Sequence, residues 1–418
     1  MAAVAAAFAL LPRAGARRVA ALALLFGALY AALNPPFAAS NELYHLARAY
    51  ELSVGHARAH EEDGRSFCQV PLGWRSAAER FGTLPDQPHR RVVRAELRTA
   101  LSARPDDDAT YHVENPISAR SPLAYAALVP GLWLARGLSL PPLWDVYLAR
   151  ASGLAAFCGL LYFALSLAGR LAWPLAALAL SPALLTQAGA AAPDSLTLGL
   201  ALGFVALIER CSGTDVPGAR RLLLLGAVFV ALVCCNPACL LFALALPLVT
   251  WPDDSRGPVR WGYALGSVLA AVCAAAAFAH LGTGRGPLAT TELADAQLSW
   301  AASQPLGVLT TVGRSLFRDV DDYTLQFFVV REVLSGQMRF SGGAIATLQA
   351  ELILLLALGS ARGGAHKARW FALGLLTFVC FVLLQALLSS ANVGPSRLQN
   401  VYGRLFFPVG PLLVAVLA

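Results

Sequence analysis

Long apolar runs separated by charged loops dominate this chain. Stretches such as 145–168, 171–192 and 259–281 are nearly free of charged residues. About 20 apolar residues in a helix cross the hydrocarbon layer of a membrane, which is roughly 30 Å thick. A helix also satisfies its own backbone hydrogen bonds inside that layer. The pattern therefore predicts an all-α, polytopic bundle of transmembrane helices.

Counting the runs predicts about ten crossings of the membrane. They lie near residues 19–35, 145–168, 171–190, 194–209, 219–235, 237–251, 259–281, 344–360, 368–390 and 403–418.

Basic residues between the runs orient the bundle, because short cytoplasmic loops are enriched in Lys and Arg. The arginines within 13–18 precede the first run and place the N-terminus in the cytoplasm. That run resembles a signal peptide, but further runs follow it, so we expect an uncleaved first helix. Basic residues within 210–221, 256–260 and 362–369 mark three further cytoplasmic loops.

This orientation divides the chain into five parts. They are a first transmembrane helix (1–35), an exported first loop (36–144) with a juxtamembrane helix (41–56), a transmembrane core (145–281), an exported loop (282–343) and C-terminal transmembrane helices (344–418). Segment 121–138 contains Pro122 and Pro130. A full crossing there would reverse the sidedness of the later loops, so we expect a re-entrant or interfacial segment.

The composition agrees with a membrane protein. Hydrophobic residues make up 57% of the 418 residues and charged residues 14%, with a mean hydropathy of +0.60, against about 25% charged residues in soluble domains. The net charge of +7 comes without a basic run interleaved with aromatic residues, which argues against nucleic-acid binding. The eight cysteines show neither metal-site spacing nor a disulfide framework.

The segment that follows the first run is the richest in polar chemistry. Ser40 is a candidate N-cap of a short helix, and Asn41, Glu42, His45 and Arg48 follow it. Asn41, His45 and Arg48 fall on one helical face. An ordinary interfacial helix with solvated charges would show the same pattern. In a functional interpretation, Glu42 or His45 is a general base and Arg48 binds an anion.

Further candidates lie beside other apolar runs. Asp194 either caps the helix that follows it or acts as an ionisable group at the membrane boundary. Arg150 either snorkels or grips a lipid phosphate. Gln399, Tyr402 and Arg404 precede the last run, where Arg404 binds phosphate or anchors the helix.

The pattern Asn-Pro-Pro-x4-Asn-Glu-x2-His-x2-Arg-Ala at 34–49 resembles the opening signature of a bacterial family of polytopic membrane proteins of unknown function. That family usually reads Pro-Pro-Asp-Glu at its start, so Asn41 stands where Asp is usual. The resemblance continues at 147–150, 181–195, 297–305 and 399–404, and therefore covers nearly the whole chain.

That family is similar to the GT-C glycosyltransferases, which use polyprenyl-phosphate-linked sugars on the exported face of the membrane. The resemblance implies an inverting transfer to an envelope glycan or lipid acceptor in the bacterial inner membrane. It makes Glu42 the base and Asp194 a second catalytic carboxylate, and it assigns Arg150, Arg404 and Arg48 to the phosphate. Asn41, His45, Gln399 and Tyr402 are the other expected substrate-binding residues. The acid of the first loop acts there as a base or a metal ligand, so the cofactor expectation is open between none and a divalent cation, Mg²⁺ or Mn²⁺.

Two other functions stay open at this point. Short spans interrupted by proline are typical of transporters, which favours a transporter or flippase of lipid-linked substrates. Asn41 cannot act as a base at neutral pH, which favours a non-catalytic membrane scaffold.

Overall fold

The computed structural model describes most of the first 282 residues and a short helix at the C-terminal end. The described residues are 12–39, 41–58, 60–62, 65–82, 92–103, 110–115, 117, 120–212, 217–249, 258–282, a few positions within 296–314, 408 and 410–417. The predicted crossings 344–360 and 368–390 lie outside them, as do the candidates Gln399, Tyr402 and Arg404.

The described chain is mostly helical, as the apolar runs predict. Its α-helices are α1 (Pro12–Leu33), α2 (Glu42–Ser53), α3 (Gly73–Phe81), α4 (Arg94–Ser102), α5 (Val129–Gly137), α6 (Trp144–Leu167), α7 (Ala172–Ala179), α8 (Pro182–Ala188), α9 (Asp194–Cys211), α10 (Ala219–Cys235), α11 (Pro258–Gly282) and α12 (Gly410–Leu417). Segments of 3-10 helix cover Pro122–Tyr125, Gly169–Leu171 and Pro237–Leu248.

Two described helices are long and apolar enough to cross a membrane, judged by length and composition. They are Gly15–Leu33 within α1 and Trp144–Leu167, which is α6. The segments Gly169–Ala179 and Pro182–Ala188 form a third span if they are counted together, although the chain bends by 79° between them. The larger number of about ten crossings stays a prediction.

Helix α6 lies at the centre of the described bundle, where it packs against α1, α5 and α9. Phe157 and Leu161 on α6 are fully buried. Large apolar side chains face outward on other helices, among them Leu33 on α1 (79% exposed) and Leu265 on α11 (70% exposed). Lipid tails can cover such side chains without cost, whereas water cannot.

A small sheet in the first loop corrects the all-α prediction. Strands β1 (His60–Glu62), β2 (Arg65–Pro71) and β3 (Thr110–Glu114) form an antiparallel sheet in the order β1-β2-β3. Ser66, Cys68 and Val70 of β2 are buried, so one face of the sheet packs inward and the other is open. The three strands are short and polar, and they contain no long run of β-branched residues that would predict them from the sequence.

Segment 121–138 consists of the 3-10 turn Pro122–Tyr125 and the nine-residue helix α5. At 1.5 Å per residue, α5 spans roughly 14 Å, about half of the hydrocarbon layer. It packs along α6, and Trp133 on α5 and Leu138 directly after α5 are exposed. The indole N–H of Trp133 donates to the Ser53 carbonyl at 2.9 Å. This length and this exposed tryptophan agree with an interfacial position, which stays a prediction.

Candidate functional site

Helix α2 buries its polar side instead of presenting it to solvent. Glu42 is 1% exposed, His45 7% and Arg48 0%. The expectation that the charges of α2 are solvated is therefore wrong, because these three side chains face α6, Tyr125 and the sheet. Buried ionic groups need partners, and each of the three side chains has one.

The start of α2 also differs from the expected cap. Asn41, not Ser40, occupies the position before the first helical residue, and its side chain makes no capping hydrogen bond. Asn41 is exposed and has a φ of 59°, in the left-handed region that Asn and Asp adopt more readily than most residues. The backbone at this position therefore suits an Asn as well as the Asp that is usual in the motif.

Glu42 and Arg150 form a buried, bidentate ion pair. Arg150 Nε donates to Glu42 Oε1 at 2.7 Å, and Arg150 Nη2 donates to Oε2 at 2.7 Å. Both side chains are 0% exposed. The backbone N–H of Ala191 donates to the same Oε1 at 2.9 Å, which holds the turn before Asp194 against the first residue of α2.

Arg150 also caps the C-terminal end of α1. Nη1 donates to the carbonyls of Ala31 at 2.8 Å and Asn34 at 2.6 Å, and Nη2 donates to that of Pro35 at 2.8 Å. The last carbonyls of a helix lack partners within the helix, and a cation there also favours the helix dipole. All five N–H groups of the guanidinium are thereby used inside the protein. A lipid phosphate would reach Arg150 only if this cluster opened.

His45 forms a second contact of the polar side of α2. Its Nδ1 lies 3.2 Å from the hydroxyl oxygen of Tyr125, and the two rings lie 5.9 Å apart between centroids. Tyr125 is fully buried. Burial raises the pKa of the Tyr125 hydroxyl, and the charges of Arg120, Arg48 and Asp194 also act on it. The His45–Tyr125 contact therefore joins α2 to the 3-10 segment Pro122–Tyr125.

Asp194 begins α9 and is partly exposed, in contrast to Glu42. Ala191, three residues before Asp194, donates to Glu42, which brings the start of α9 near the start of α2. The predicted residues Asn41, Glu42, His45, Arg150 and Asp194 thus lie in one neighbourhood at the ends of α1, α2, α6 and α9.

Arg48 points into a separate buried cluster under the sheet. Its Nη1 donates to Glu51 Oε2 at 3.3 Å, and Nη2 donates to the Ala57 carbonyl. The Cys68 thiol donates to the same Glu51 oxygen at 3.2 Å, and Asn115 Nδ2 contacts Cys68 Sγ at 3.1 Å. Burial raises the pKa of Glu51 and of the Cys68 thiol. This cluster ties the sheet to α2.

Three members of these clusters carry no signal in the sequence. Tyr125 stands alone in an apolar stretch, Glu51 lies at the end of an amphipathic helix, and the Ala191 N–H is a backbone group. No metal-binding group of three or more His, Cys, Asp or Glu side chains occurs among the residues that the structure describes.

The family comparison decides what kind of protein this is. The model of the family described as predicted membrane protein (DUF2142) matches residues 24–413. The chain belongs to the DUF2142 family. No curated protein matches it, and no solved structure does. DUF2142 membership makes it a membrane protein and supports contact with the lipid bilayer.

Proposed function

We propose that this DUF2142 protein is a membrane glycosyltransferase. It transfers a sugar from a polyprenyl-phosphate donor to an envelope glycan or lipid acceptor, with inversion, on the exported face of the bacterial inner membrane. The observation that carries the proposal is the convergence of Asn41, the His45–Tyr125 contact and the turn before Asp194 around the buried Glu42–Arg150 pair. Four separate segments of the chain contribute to that convergence.

The transfer needs a base beside the acceptor hydroxyl. The hydroxyl oxygen forms a bond to C1 of the sugar, the bond from C1 to the phosphate oxygen breaks, and the hydroxyl proton passes to the base. Asp194 is the better candidate for this base, because it is partly exposed and a base must reach the proton that it removes. Polyprenyl phosphate leaves with the electron pair of the broken bond.

Glu42 and Arg150 act as positioning residues in this proposal. The Glu42 carboxylate accepts three hydrogen bonds from Arg150 and Ala191, and both side chains are buried. Together they hold the ends of α1, α2 and α9 so that Asp194 faces the site. This assigns Glu42 a different role from the base that the motif implies.

The departing phosphate needs cations or N–H donors. Arg120 is exposed and lies five residues before Tyr125, the partner of His45. We assign it to the phosphate in place of Arg150, together with Arg404 of the last predicted exported loop. A divalent cation, Mg²⁺ or Mn²⁺, bound with the donor phosphate would supply further charge neutralisation.

The experiment is sugar transfer by the full chain in lipid vesicles with a labelled polyprenyl-phosphate sugar. We expect Asp194→Asn to lower the rate per folded protein by about 100-fold, since general-base catalysis contributes on that order. Glu209→Gln is the matched control, because Glu209 pairs with Arg170 and not with this site. Equal rates in wild type and Asp194→Asn would remove Asp194 as the base.

A second variant separates positioning from catalysis. Glu42→Gln places an amide opposite the Arg150 donors, so we expect a lower unfolding temperature together with a smaller loss of rate per folded protein than in Asp194→Asn. A larger loss of rate than in Asp194→Asn, at unchanged stability, would return the role of base to Glu42.

Asn41→Asp tests the alternative of a non-catalytic scaffold. Asn41 is exposed and its φ of 59° also suits Asp, so we expect a change in unfolding free energy within about 0.5 kcal/mol. A transfer rate that rises above the wild-type rate would show a weakened site in the natural chain. Absence of transfer in both proteins would favour the scaffold.

One observation favours a transporter or flippase as the second candidate. The chain bends by 79° between α7 and α8, and broken helices of this kind surround substrate sites in transporters. Movement of a fluorescent polyprenyl-phosphate sugar across vesicles, without sugar transfer, would support this function instead.

A further inference from the structure

Two histidines meet on the open face of the small sheet. His60 of β1 and His112 of β3 are both exposed, and their ring centroids lie 6.0 Å apart. His60 pairs in register with Phe67, and His112 pairs with Gln69 two residues further along β2. Residues two apart on a strand point to the same face, so both imidazoles project on one side.

The rings lean toward each other across the central strand. Since neighbouring strands lie about 4.8 Å apart, the backbones of β1 and β3 are separated by about 10 Å. The imidazole centroids are much closer than that, and the ring of Phe67 lies 6.4 Å from that of His112 between centroids. The two imidazoles therefore converge across β2, beside the ring of Phe67.

This separation is near the one that a shared metal ion requires. Zinc binds imidazole nitrogen at 2.0–2.1 Å with tetrahedral angles, which places two coordinated ring centroids about 5 Å apart. A closure of about 1 Å is within reach of side-chain torsions in two exposed residues. The T-shaped arrangement, with 66° between the ring planes, leaves both rings free to turn a nitrogen toward a common point.

We propose that His60 and His112 bind a divalent transition-metal ion such as Zn²⁺ on the open face of the sheet. Imidazole nitrogen selects Zn²⁺, Cu²⁺ or Ni²⁺ over Mg²⁺ and Ca²⁺, which prefer oxygen. No third His, Cys, Asp or Glu side chain completes a metal group among the described residues, so exchangeable water fills the other positions. The site is separate from the residues of the proposed transfer reaction and does not depend on that function.

Zinc binding to the full chain tests the proposal, with the purification tag free of histidine. Zn²⁺ alone is titrated against the protein in competition with a chromophoric chelator. We expect one ion per chain, and we expect His60→Ala and His112→Ala each to weaken the affinity at least tenfold. Excess Mg²⁺ should not displace the ion.

His56→Ala is the matched control, since His56 is exposed nearby in the chain and lies outside the sheet. It should bind Zn²⁺ as the wild type does. Cu²⁺ bound to the same protein should give an electron paramagnetic resonance spectrum with nitrogen splitting, which either histidine variant should lose. Absence of binding by the wild type, or equal affinities in all four proteins, would overturn the proposal and leave the histidines as a cross-strand aromatic contact.

Discussion

Replacing Arg150 by alanine is expected to lower the free energy of unfolding by about 3–5 kcal/mol, the usual effect of removing one partner of a buried ion pair. The loss has two causes in this fold. Glu42 would lose its cationic partner in a site that is 0% exposed, and the carbonyls of Ala31, Asn34 and Pro35 would lose their donor. Unfolding by titration with a denaturing detergent, monitored by circular dichroism, measures the change in the free energy of unfolding.

Arg150→Lys is expected to recover only part of this stability. A lysine ammonium has three N–H donors and no planar fork, so it cannot serve the carboxylate and the three carbonyls together. Arg170→Ala is the matched control. It removes a pair with Glu209 in which the side chains are 28% and 15% exposed, and it should cost no more than about 1 kcal/mol.

A double-mutant cycle separates the two causes. Ion pairs replaced on both sides by apolar residues are often neutral in stability. The double variant Glu42→Leu/Arg150→Leu should still be less stable than the wild type, because the carbonyls at the end of α1 stay without a donor. A stability of Arg150→Ala within about 1 kcal/mol of the wild type would contradict the role of the pair.

Gly131→Ala is expected to destabilise the protein by at least about 2 kcal/mol through overpacking. A Cβ at Gly131 would overlap the carbonyl group of Leu148 and lie 2.7 Å from the backbone nitrogen of Ala149. Both belong to the backbone of α6, which cannot rotate away as a side chain can. The helices α5 and α6 would have to separate, and the cost exceeds the roughly 1 kcal/mol by which alanine favours a helix over glycine.

Gly137→Ala is the control on the same helix. A Cβ at Gly137 meets nothing within 4 Å, so this variant should be as stable as the wild type or slightly more stable. Thermal unfolding in detergent compares the two variants directly. If both glycine variants unfold at the same temperature, α5 does not pack on α6 at this distance.

Much of the candidate site could be chosen from the sequence by residue type. Glu42, Arg150 and Asp194 stand out because charged residues are rare beside apolar runs and expensive within a membrane. Their arrangement could not be predicted. Glu42 and Arg150 are 108 positions apart in the chain. The charge of the loops predicts on which side of the membrane each loop lies, but not which helix ends are in contact. The sequence around Arg150 therefore does not distinguish a residue that binds phosphate from one that holds helix ends together.

The small sheet was missed for a related reason. Strands of three to seven residues carry little hydrophobic pattern, and the paired residues of β2 and β3 are 39 to 47 positions apart. The same long-range pairing brings His60 to His112, which no local spacing suggests. The sheet also buries Cys68 next to Glu51, so the polar side of α2 is covered by a layer that the helical pattern did not include.

By itself the sequence determined the membrane character of this chain, because apolar runs long enough to cross a bilayer leave the backbone little choice besides helix. It also determined where α1, α6 and α9 lie, since prolines and charged residues limit each run. The tertiary structure decided that the charges after α1 are buried partners and not a solvated surface. Burial depends on which segments pack together, and that is set by contacts between residues far apart in the chain.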